Sequence, residues 1–345
     1  MKKIDKTFKS NKIKIYERIY KDGNNYLNNL QNLKNIASTF QENFKTLKNH
    51  TNYVYYISQL NDGRLISSSK DNLINIYKKD SYDLQVSIKE HEGTVFCFTQ
   101  LKDGRIISCS SDKTMKIIKL LEDDKYQVDQ ILEGHKETVY KVIEIKENEL
   151  ISISYDKTMK IWKLNNENSF ESILTIYFQY YNSNCNILKI NEEQFVTSSC
   201  SDSCLKFWNP KNYSIIATLN DISLEWTYDL MCLLDNDLLC VGGKDSKGFY
   251  LIKISTHQLI KNILGPKTIF SIKECVDGLF LCSIDNENGN YSLAKYEYDF
   301  ENKNLKKVIE KENPHDSGCI YSAIELNRRT IASCSNDYSI KLWEI

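Results

Sequence analysis

Short runs of apolar and β-branched residues, separated by polar turns, recur along most of the chain. Three of these stretches are close copies of one another: IISCSSDKTMKIIKL from residue 106, LISISYDKTMKIWKL from 150 and TIASCSNDYSIKLWEI from 330. Each copy holds two apolar runs of strand length with an aspartate in the polar turn between them. The pattern predicts β-hairpins built from one repeated unit.

Four weaker copies, which begin at residues 65, 195, 238 and 279, bring the number of units to seven. The seven turn aspartates lie 41, 44, 46, 43, 40 and 52 residues apart, and they are Asp71, Asp112, Asp156, Asp202, Asp245, Asp285 and Asp337. A period of about 40 to 45 residues is typical of a four-stranded propeller blade. The spacing therefore predicts an all-β chain that forms a single seven-bladed β-propeller of four-stranded blades, with a longer outer hairpin in the sixth blade.

Histidines and tryptophans stand at fixed distances from these aspartates. Four of the five histidines precede one by 21 or 22 residues, and these are His50, His91, His135 and His315. The positions six residues after the aspartates hold Tyr77, Ile118, Trp162, Trp208, Leu251, Tyr291 and Trp343. Over residues 44–345 the chain thus resembles the WD-repeat family, although only one unit keeps Gly134-His135 and no tryptophan is followed by aspartate.

The resemblance implies a hydrogen-bond network in each well-preserved blade, which joins histidine, aspartate, serine and tryptophan. In the third blade the members are His135, Asp156, Trp162 and either Ser152 or Ser154. In the last blade they are His315, Asp337, Trp343 and either Ser333 or Ser335. The aspartates of other blades that are expected in the same structural role include Asp71, Asp112 and Asp202.

The N-terminal part divides into three segments, residues 1–23, 24–43 and 44–47. Residues 44–47 precede His50 as a fourth strand precedes every other unit, and we predict that they close the ring by completing the last blade, because a free blade edge would leave backbone groups unpaired. Residues 24–43 have apolar side chains three or four positions apart, which predicts a short amphipathic helix that docks on the propeller or on a partner. The predicted domains are therefore an arm and helix at 1–43 and a propeller at 44–345.

Composition and charge narrow the class of protein. The chain is 41% hydrophobic and 26% charged, its mean hydropathy is -0.46, and no apolar run approaches the roughly 18 residues of a membrane span. We expect no membrane partner and, without an export signal, a cytoplasmic or nuclear location with reduced cysteines. The net charge of -1 gives no general attraction to nucleic acid. Only the basic arm, residues 1–23, leaves RNA binding open as an alternative.

No sequence motif predicts catalysis. The His and Asp pairs recur once per blade, as structural groups do. Cys200 and Cys204 lack the second pair that a zinc site needs, and Gly242-Gly243 and the loop at 265–268 lack the glycine spacing of nucleotide sites. We therefore expect a protein that is not an enzyme, with no catalytic residue, metal or other cofactor.

A candidate binding surface comes from aligning the innermost strands of the predicted blades. Most of them carry an aromatic residue directly after a β-branched one, at Tyr55, Phe96, Tyr140, Phe270 and Tyr321, and we expect Tyr228 to add to this ring in blade 5, with Asn186 in blade 4. Positions just before the turn aspartates should surround the same mouth of the central channel, and those of most interest are Lys70, Tyr155 and Lys244.

Aromatic rings attract ammonium and guanidinium groups by roughly 0.5 to 2 kcal/mol per contact. The ring therefore favours an interaction scaffold or adaptor that holds a peptide segment of a partner protein at the channel mouth. Two alternatives remain open. The aromatic residues can simply pack the channel, or the protein can be a structural subunit of a chromatin, ciliary, RNA-processing or ubiquitin-ligase complex that binds through the sides of its blades.

Overall fold

The computed structural model describes residues 43–345 except 179–185, 200–202, 223, 225–229, 236, 244–247, 276–277, 287–289, 300–301, 317 and 328. The described residues form 28 β-strands in seven four-stranded antiparallel sheets, and no helix occurs among them, so none there could cross a membrane. The predicted all-β, seven-bladed propeller is confirmed. The predicted helix at 24–43 and the basic arm at 1–23 lie outside the described residues and stay predictions.

The first strand, β1 (Asn43–Leu47), precedes the first blade. Blade 1 contains β2 (Val54–Gln59), β3 (Leu65–Ser69), β4 (Ile74–Tyr77) and β5 (Leu84–Ile88). Blade 2 contains β6 (Val95–Gln100), β7 (Ile106–Ser110), β8 (Met115–Leu120) and β9 (Tyr126–Leu132). Blade 3 contains β10 (Val139–Lys146), β11 (Glu149–Ser154), β12 (Thr158–Leu164) and β13 (Phe170–Tyr177).

The remaining blades follow the same order. Blade 4 contains β14 (Ile187–Lys189), β15 (Phe195–Ser199), β16 (Cys204–Trp208) and β17 (Ile215–Leu219). Blade 5 contains β18 (Met231–Asp235), β19 (Leu238–Gly242), β20 (Phe249–Lys253) and β21 (Gln258–Ile263). Blade 6 contains β22 (Thr268–Glu274), β23 (Phe280–Asp285), β24 (Tyr291–Asp299) and β25 (Asn304–Glu312). Blade 7 contains β26 (Ile320–Asn327), β27 (Thr330–Ser335) and β28 (Ile340–Glu344), and β1 is its fourth strand.

The ring closes through the N-terminal strand, as predicted. β1 pairs antiparallel with β28, and Leu47 lies opposite Ile340 while Lys45 lies opposite Leu342. This pairing supplies the backbone partners that the outer edge of β28 needs. The innermost strands of blade 7 and blade 1, β26 and β2, contact each other directly.

Burial explains why the sequence repeats as it does. The second strands are buried along their whole length, as in β3 and β11, because they are covered by the neighbouring blades on both faces. They accordingly read as continuous runs of aliphatic residues and serine rather than as alternating patterns. The outermost strands are more exposed, and in β13 four consecutive residues, 171–174, face solvent.

Candidate functional site at the channel mouth

The turn aspartates of blades 1, 2, 3 and 7 shape the turn between the second and third strands. In blade 3, Asp156 Oδ1 accepts the backbone N–H of Thr158 at 2.9 Å, and the intervening Lys157 has a φ of 66°. A short carboxylate side chain favours such a turn because it accepts a hydrogen bond from the backbone two residues on. In the other three blades the backbone N–H groups of Leu73, Thr114 and Ser339 donate equivalent bonds to Asp71, Asp112 and Asp337.

The other oxygen of the same carboxylate begins a directed chain of hydrogen bonds. Asp156 Oδ2 lies 2.9 Å from His135 Nδ1, and because a carboxylate only accepts, the histidine donates through this atom. His135 Nε2 then accepts from the Ser152 hydroxyl at 2.7 Å, and the Trp162 indole donates to the same serine oxygen at 2.8 Å. Each donor has an acceptor, which makes burial of these polar side chains tolerable.

Blade 7 repeats this network. His315 lies 2.8 Å from both Asp337 and Ser333, and Trp343 donates to Ser333 at 2.9 Å. Blades 1 and 2 keep the histidine, aspartate and serine without tryptophan, in the sets His50, Asp71, Ser67 and His91, Asp112, Ser108. Among the described residues the network therefore occurs in four blades, 1, 2, 3 and 7.

The structure selects one serine of each candidate pair. Ser152 and Ser333 bridge histidine to tryptophan, whereas Ser154 and Ser335 do not. Those two instead accept the backbone N–H of Asp156 and Asp337 and so help to hold the turn. The reason is register: Leu150 is opposite Trp162, so Ser152 lies diagonal to the indole while Ser154 lies beside the turn.

Blade 4 contains a variant that the sequence pattern missed. Its Trp208 indole donates to the hydroxyl of Thr197 at 2.9 Å, so threonine takes the place of the bridging serine. The signal was present in the sequence, because a hydroxyl residue stands 10 or 11 positions before tryptophan in all three blades. Asp202 of this blade lies outside the described residues.

The order serine, histidine, aspartate resembles that of a catalytic triad. In this fold, however, Ser152 and Ser333 are 0% exposed, and their oxygens already accept an indole N–H. A substrate carbonyl cannot reach a fully buried hydroxyl. The network is therefore a structural element of the blades. No cluster able to hold a metal ion occurs among the residues that the structure describes.

The network makes the stability of the fold sensitive to acid. Burial alone would raise the pKa of Asp337, but the hydrogen bonds that its carboxylate accepts from His315 and Ser339 outweigh burial and lower it to about 2. The pKa values of Asp71, Asp112 and Asp156 are lowered in the same way. Since an unfolded aspartate titrates near 3.9, this stabilisation is fully present above about pH 5 and is lost as the pH falls towards 2.

We expect the urea midpoint of the wild-type protein to fall steeply between about pH 5 and pH 2. The Asp337→Asn variant should be less stable at pH 7 and should lose less stability on acidification, because it lacks one of the four network aspartates whose pKa values are lowered. Unfolding curves at pH 7, 5 and 3 measure both slopes. Parallel slopes for the two proteins would show that this aspartate does not contribute to acid sensitivity.

The aromatic residues of the innermost strands share an unusual backbone position. In five blades the register of the innermost strand shifts between the residues on either side of the aromatic one, at Tyr55, Phe96, Tyr140, Phe270 and Tyr321. A β-bulge leaves one residue unpaired and re-aims its side chain. Each of these five blades thus presents one half-buried aromatic side chain at an equivalent place.

Four of these five side chains contact one another around the mouth. Successive ring centroids are 4.9 Å apart for Tyr321 and Tyr55, 5.2 Å for Tyr55 and Phe96, and 5.1 Å for Phe96 and Tyr140. Tyr155 extends the row at 6.0 Å from Tyr140. We call this row the aromatic band, and it consists of Tyr321, Tyr55, Phe96, Tyr140 and Tyr155.

Burial raises the pKa of three phenols in the band, those of Tyr55, Tyr140 and Tyr321. The pKa of Tyr140 rises to about 12, mainly through burial and further through the neighbouring Tyr155, and those of Tyr55 and Tyr321 are also raised. These three hydroxyls therefore stay protonated at neutral pH. The band offers uncharged ring faces together with hydroxyl donors.

A rim surrounds the band. It is formed by the residues just before the innermost strands and by the residues that pair with them at the ends of the second strands. In blade 1 the backbone N–H of Lys70 donates to Tyr53, and the Lys70 ammonium lies 4.9 Å from the centre of the Tyr53 ring. Tyr53 also contacts Tyr338, whose side chain is 44% exposed. Lys70 thus lies beside Tyr53 and Tyr338, as Tyr155 lies beside Tyr140.

The sequence alignment was wrong by one position in blade 5 and by five positions in blade 6. Phe280 pairs with Tyr296 as Leu150 pairs with Trp162, so Tyr296 rather than Tyr291 has the tryptophan position. Asp285 is the last residue of β23 and not a turn residue. In blade 5 the same register argument selects Ile252 instead of Leu251.

Blade 4 also departs from the alignment. Asn186 hydrogen-bonds with Ser198 and is 4% exposed, which matches the place of Tyr56, one residue beyond the bulge. It is therefore not the counterpart of Tyr55. Tyr228 and Lys244, the expected contributions of blade 5, lie outside the described residues.

Comparisons with known proteins agree with the repeat and the fold. The family model for the WD domain, G-beta repeat, matches residues 41–78 and 83–119. The solved WD40 beta propeller domain of Doa1 is similar with a TM-score of 0.68 at 19% sequence identity, over 88% of this chain and 96% of that one. No curated protein matches the chain significantly. Residues 41–78 and 83–119 are thus WD repeats, and the chain as a whole has the fold of a WD40 β-propeller.

Propellers of this family generally serve as protein-interaction scaffolds and are generally non-catalytic. The fold alone does not specify a partner, because 1604 solved chains share a similar one. Function therefore has to be argued from the surface that this chain presents.

Proposed function

We propose that the protein is an interaction scaffold that holds a peptide segment of a partner protein across its channel mouth. The observation that carries this proposal is the aromatic band, in which bulged residues of blades 7, 1, 2 and 3 are in continuous ring contact. Tyrosine and other aromatic residues provide large contact areas at low conformational cost, and they are enriched in binding hot spots.

Two features distinguish the band from simple packing. Its rings are only half-buried, whereas the core aromatic side chains Phe195, Phe249 and Phe280 are at most 1% exposed. A rim aromatic residue, Tyr53, also already holds an ammonium group, that of Lys70. The surface therefore combines accessible ring faces with the chemistry that attracts basic side chains.

The double variant Tyr140→Ala/Tyr321→Ala tests this function. We expect it to retain the fold, because both side chains are half-buried. The amount of a discrete partner that is recovered with it should fall at least about tenfold, as removal of aromatic hot-spot residues does. Affinity purification with quantitative mass spectrometry measures the loss, and thermal melting checks the fold. The matched control is Tyr177→Ala, on the outermost strand of blade 3, where the side chain is 78% exposed. Retention of every partner by the double variant would overturn the proposal.

One observation favours the second candidate, a subunit that assembles through the sides of its blades. The outermost strands of blades 3, 4 and 5 carry the exposed aliphatic residues Ile173, Leu174, Ile215, Ile216, Leu259 and Ile260, between 37% and 49% exposed. Clustered apolar side chains on a surface mark interaction sites. Under this alternative, Ile215→Ser/Ile216→Ser would lose the partner that the channel-mouth variant keeps.

A further inference from the structure

A carboxylate lies on the rim in blade 6. Asp285 pairs with Thr268, the first residue of the innermost strand, and across the hairpin with Tyr291. Lys70 has the same position in blade 1. Each of the two residues lies opposite the residue that comes two positions before the bulged aromatic residue of its blade. Equivalent rim positions of the two blades thus carry opposite charges.

Asp285 is poorly compensated in comparison with the turn aspartates. Those side chains each bind a histidine and backbone N–H groups, whereas Asp285 Oδ1 has no hydrogen-bond partner among the described residues. This oxygen is buried, but Asp285 as a whole is only partly buried, so its carboxylate is within reach of a ligand. The residue 21 positions earlier is Leu264, not histidine. Burial raises the pKa of Asp285, although the charge of Lys267 acts to lower it. A partly desolvated carboxylate with an unmet acceptor is stabilised by an added cationic donor.

Aromatic side chains lie next to this carboxylate. Tyr291 is its direct cross-strand partner, so the two side chains lie on the same face of the hairpin. The Tyr291 ring is 6.0 Å from that of Phe270, the bulged aromatic residue of blade 6. A cation bound at Asp285 would therefore also lie near ring faces, which adds to its attraction.

We propose that Asp285 is the counter-ion for a basic side chain, lysine or arginine, of the peptide held at the channel mouth. This inference rests on the proposed function of that surface. Lys70 sets the orientation of the peptide, because a positive charge, the Lys70 ammonium, already lies over the Tyr53 ring at blade 1. The basic residue of the peptide lies at blade 6, and its acidic or apolar part lies towards blade 1.

The probe is a random dodecapeptide library displayed on phage and selected on the full-length protein. We expect the selected peptides to contain lysine or arginine, and synthetic versions to bind Asp285→Asn about 10- to 100-fold more weakly, the range for a lost charge-assisted hydrogen bond. Asp285→Glu keeps the charge and should retain most of the affinity. The matched control is Glu137→Gln, which removes an acid that pairs with Lys113 before the innermost strand of blade 3.

Replacing the arginine of a selected peptide by citrulline separates recognition of charge from a structural role of Asp285. The wild type should discriminate between the two peptides, and Asp285→Asn, checked by melting, should bind both equally. Selected peptides without a basic residue, or equal binding to wild type and Asp285→Asn, would overturn this inference and leave the proposed function intact. If the wild type selects no peptide, the peptide-binding function fails and the inference fails with it.

Discussion

Replacing Trp343 by alanine is expected to lower the free energy of unfolding by about 3 to 5 kcal/mol, the usual range for removing a buried tryptophan. The side chain is 2% exposed, donates to Ser333, and belongs to the strand that pairs with β1 to close the ring. The variant therefore loses packing and one donor of the blade 7 network at the same time.

The conservative variant Trp343→Phe divides this effect into its parts. It keeps a ring but removes the indole N–H, and we expect a loss of about 1 to 2 kcal/mol. Tyr177→Ala, at a 78% exposed side chain, is the surface control and should change stability by less than about 0.5 kcal/mol. Urea unfolding followed by fluorescence measures all three. A loss below about 1 kcal/mol for Trp343→Ala would contradict the role of this side chain in ring closure.

The second large effect is expected at an ion pair between blades 6 and 7. Lys295 Nζ lies 2.9 Å from Glu325 Oε1, and the two side chains are only 3% and 1% exposed. Removing one partner of a buried pair leaves a buried charge less well compensated, which destabilises proteins by about 3 to 5 kcal/mol. Lys295→Met keeps the length of the side chain and removes the ammonium, so we expect a loss of this size.

The double variant Lys295→Met/Glu325→Leu is the informative control. Replacing a whole buried pair by apolar residues is often neutral, so the double variant should be more stable than either single variant. Urea midpoints of the four proteins give the coupling free energy of the pair. Additive losses in the double variant would show that the two charges do not depend on each other.

The number of blades and the closing strand were predictable because both follow from strong, periodic signals. Asp71, Asp112 and Asp156 mark turns whose backbone needs a side-chain acceptor, and His50 fixes where the first blade begins after β1. Each of these residues has one structural reason for its position. A shift of one residue would break a hydrogen bond, and the spacing between histidine and aspartate is therefore tightly constrained.

The errors arose where that constraint is absent. Without a histidine, spacing alone selected Asp285 as a turn residue, although the hairpin of blade 6 is longer and places it in a strand. The choice between Ser152 and Ser154 could not be made from sequence because both face the same side of β11, and only the register decides. The bulges that aim the aromatic side chains leave no sequence signature apart from the aromatic residues themselves.

Site-specific photocrosslinking tests most directly whether the channel mouth is the binding surface. Ser111 lies on the rim of blade 2, because its backbone N–H donates to Thr94 as that of Lys70 donates to Tyr53. A photoreactive amino acid replaces Ser111 in one protein and Ile215, on the side of blade 4, in another, and both proteins are irradiated in cells. The proposed function predicts a discrete adduct with a partner from position 111, which the Tyr140→Ala/Tyr321→Ala background abolishes, and none from position 215. Adducts from position 215 alone would contradict it and would assign binding to the sides of the blades.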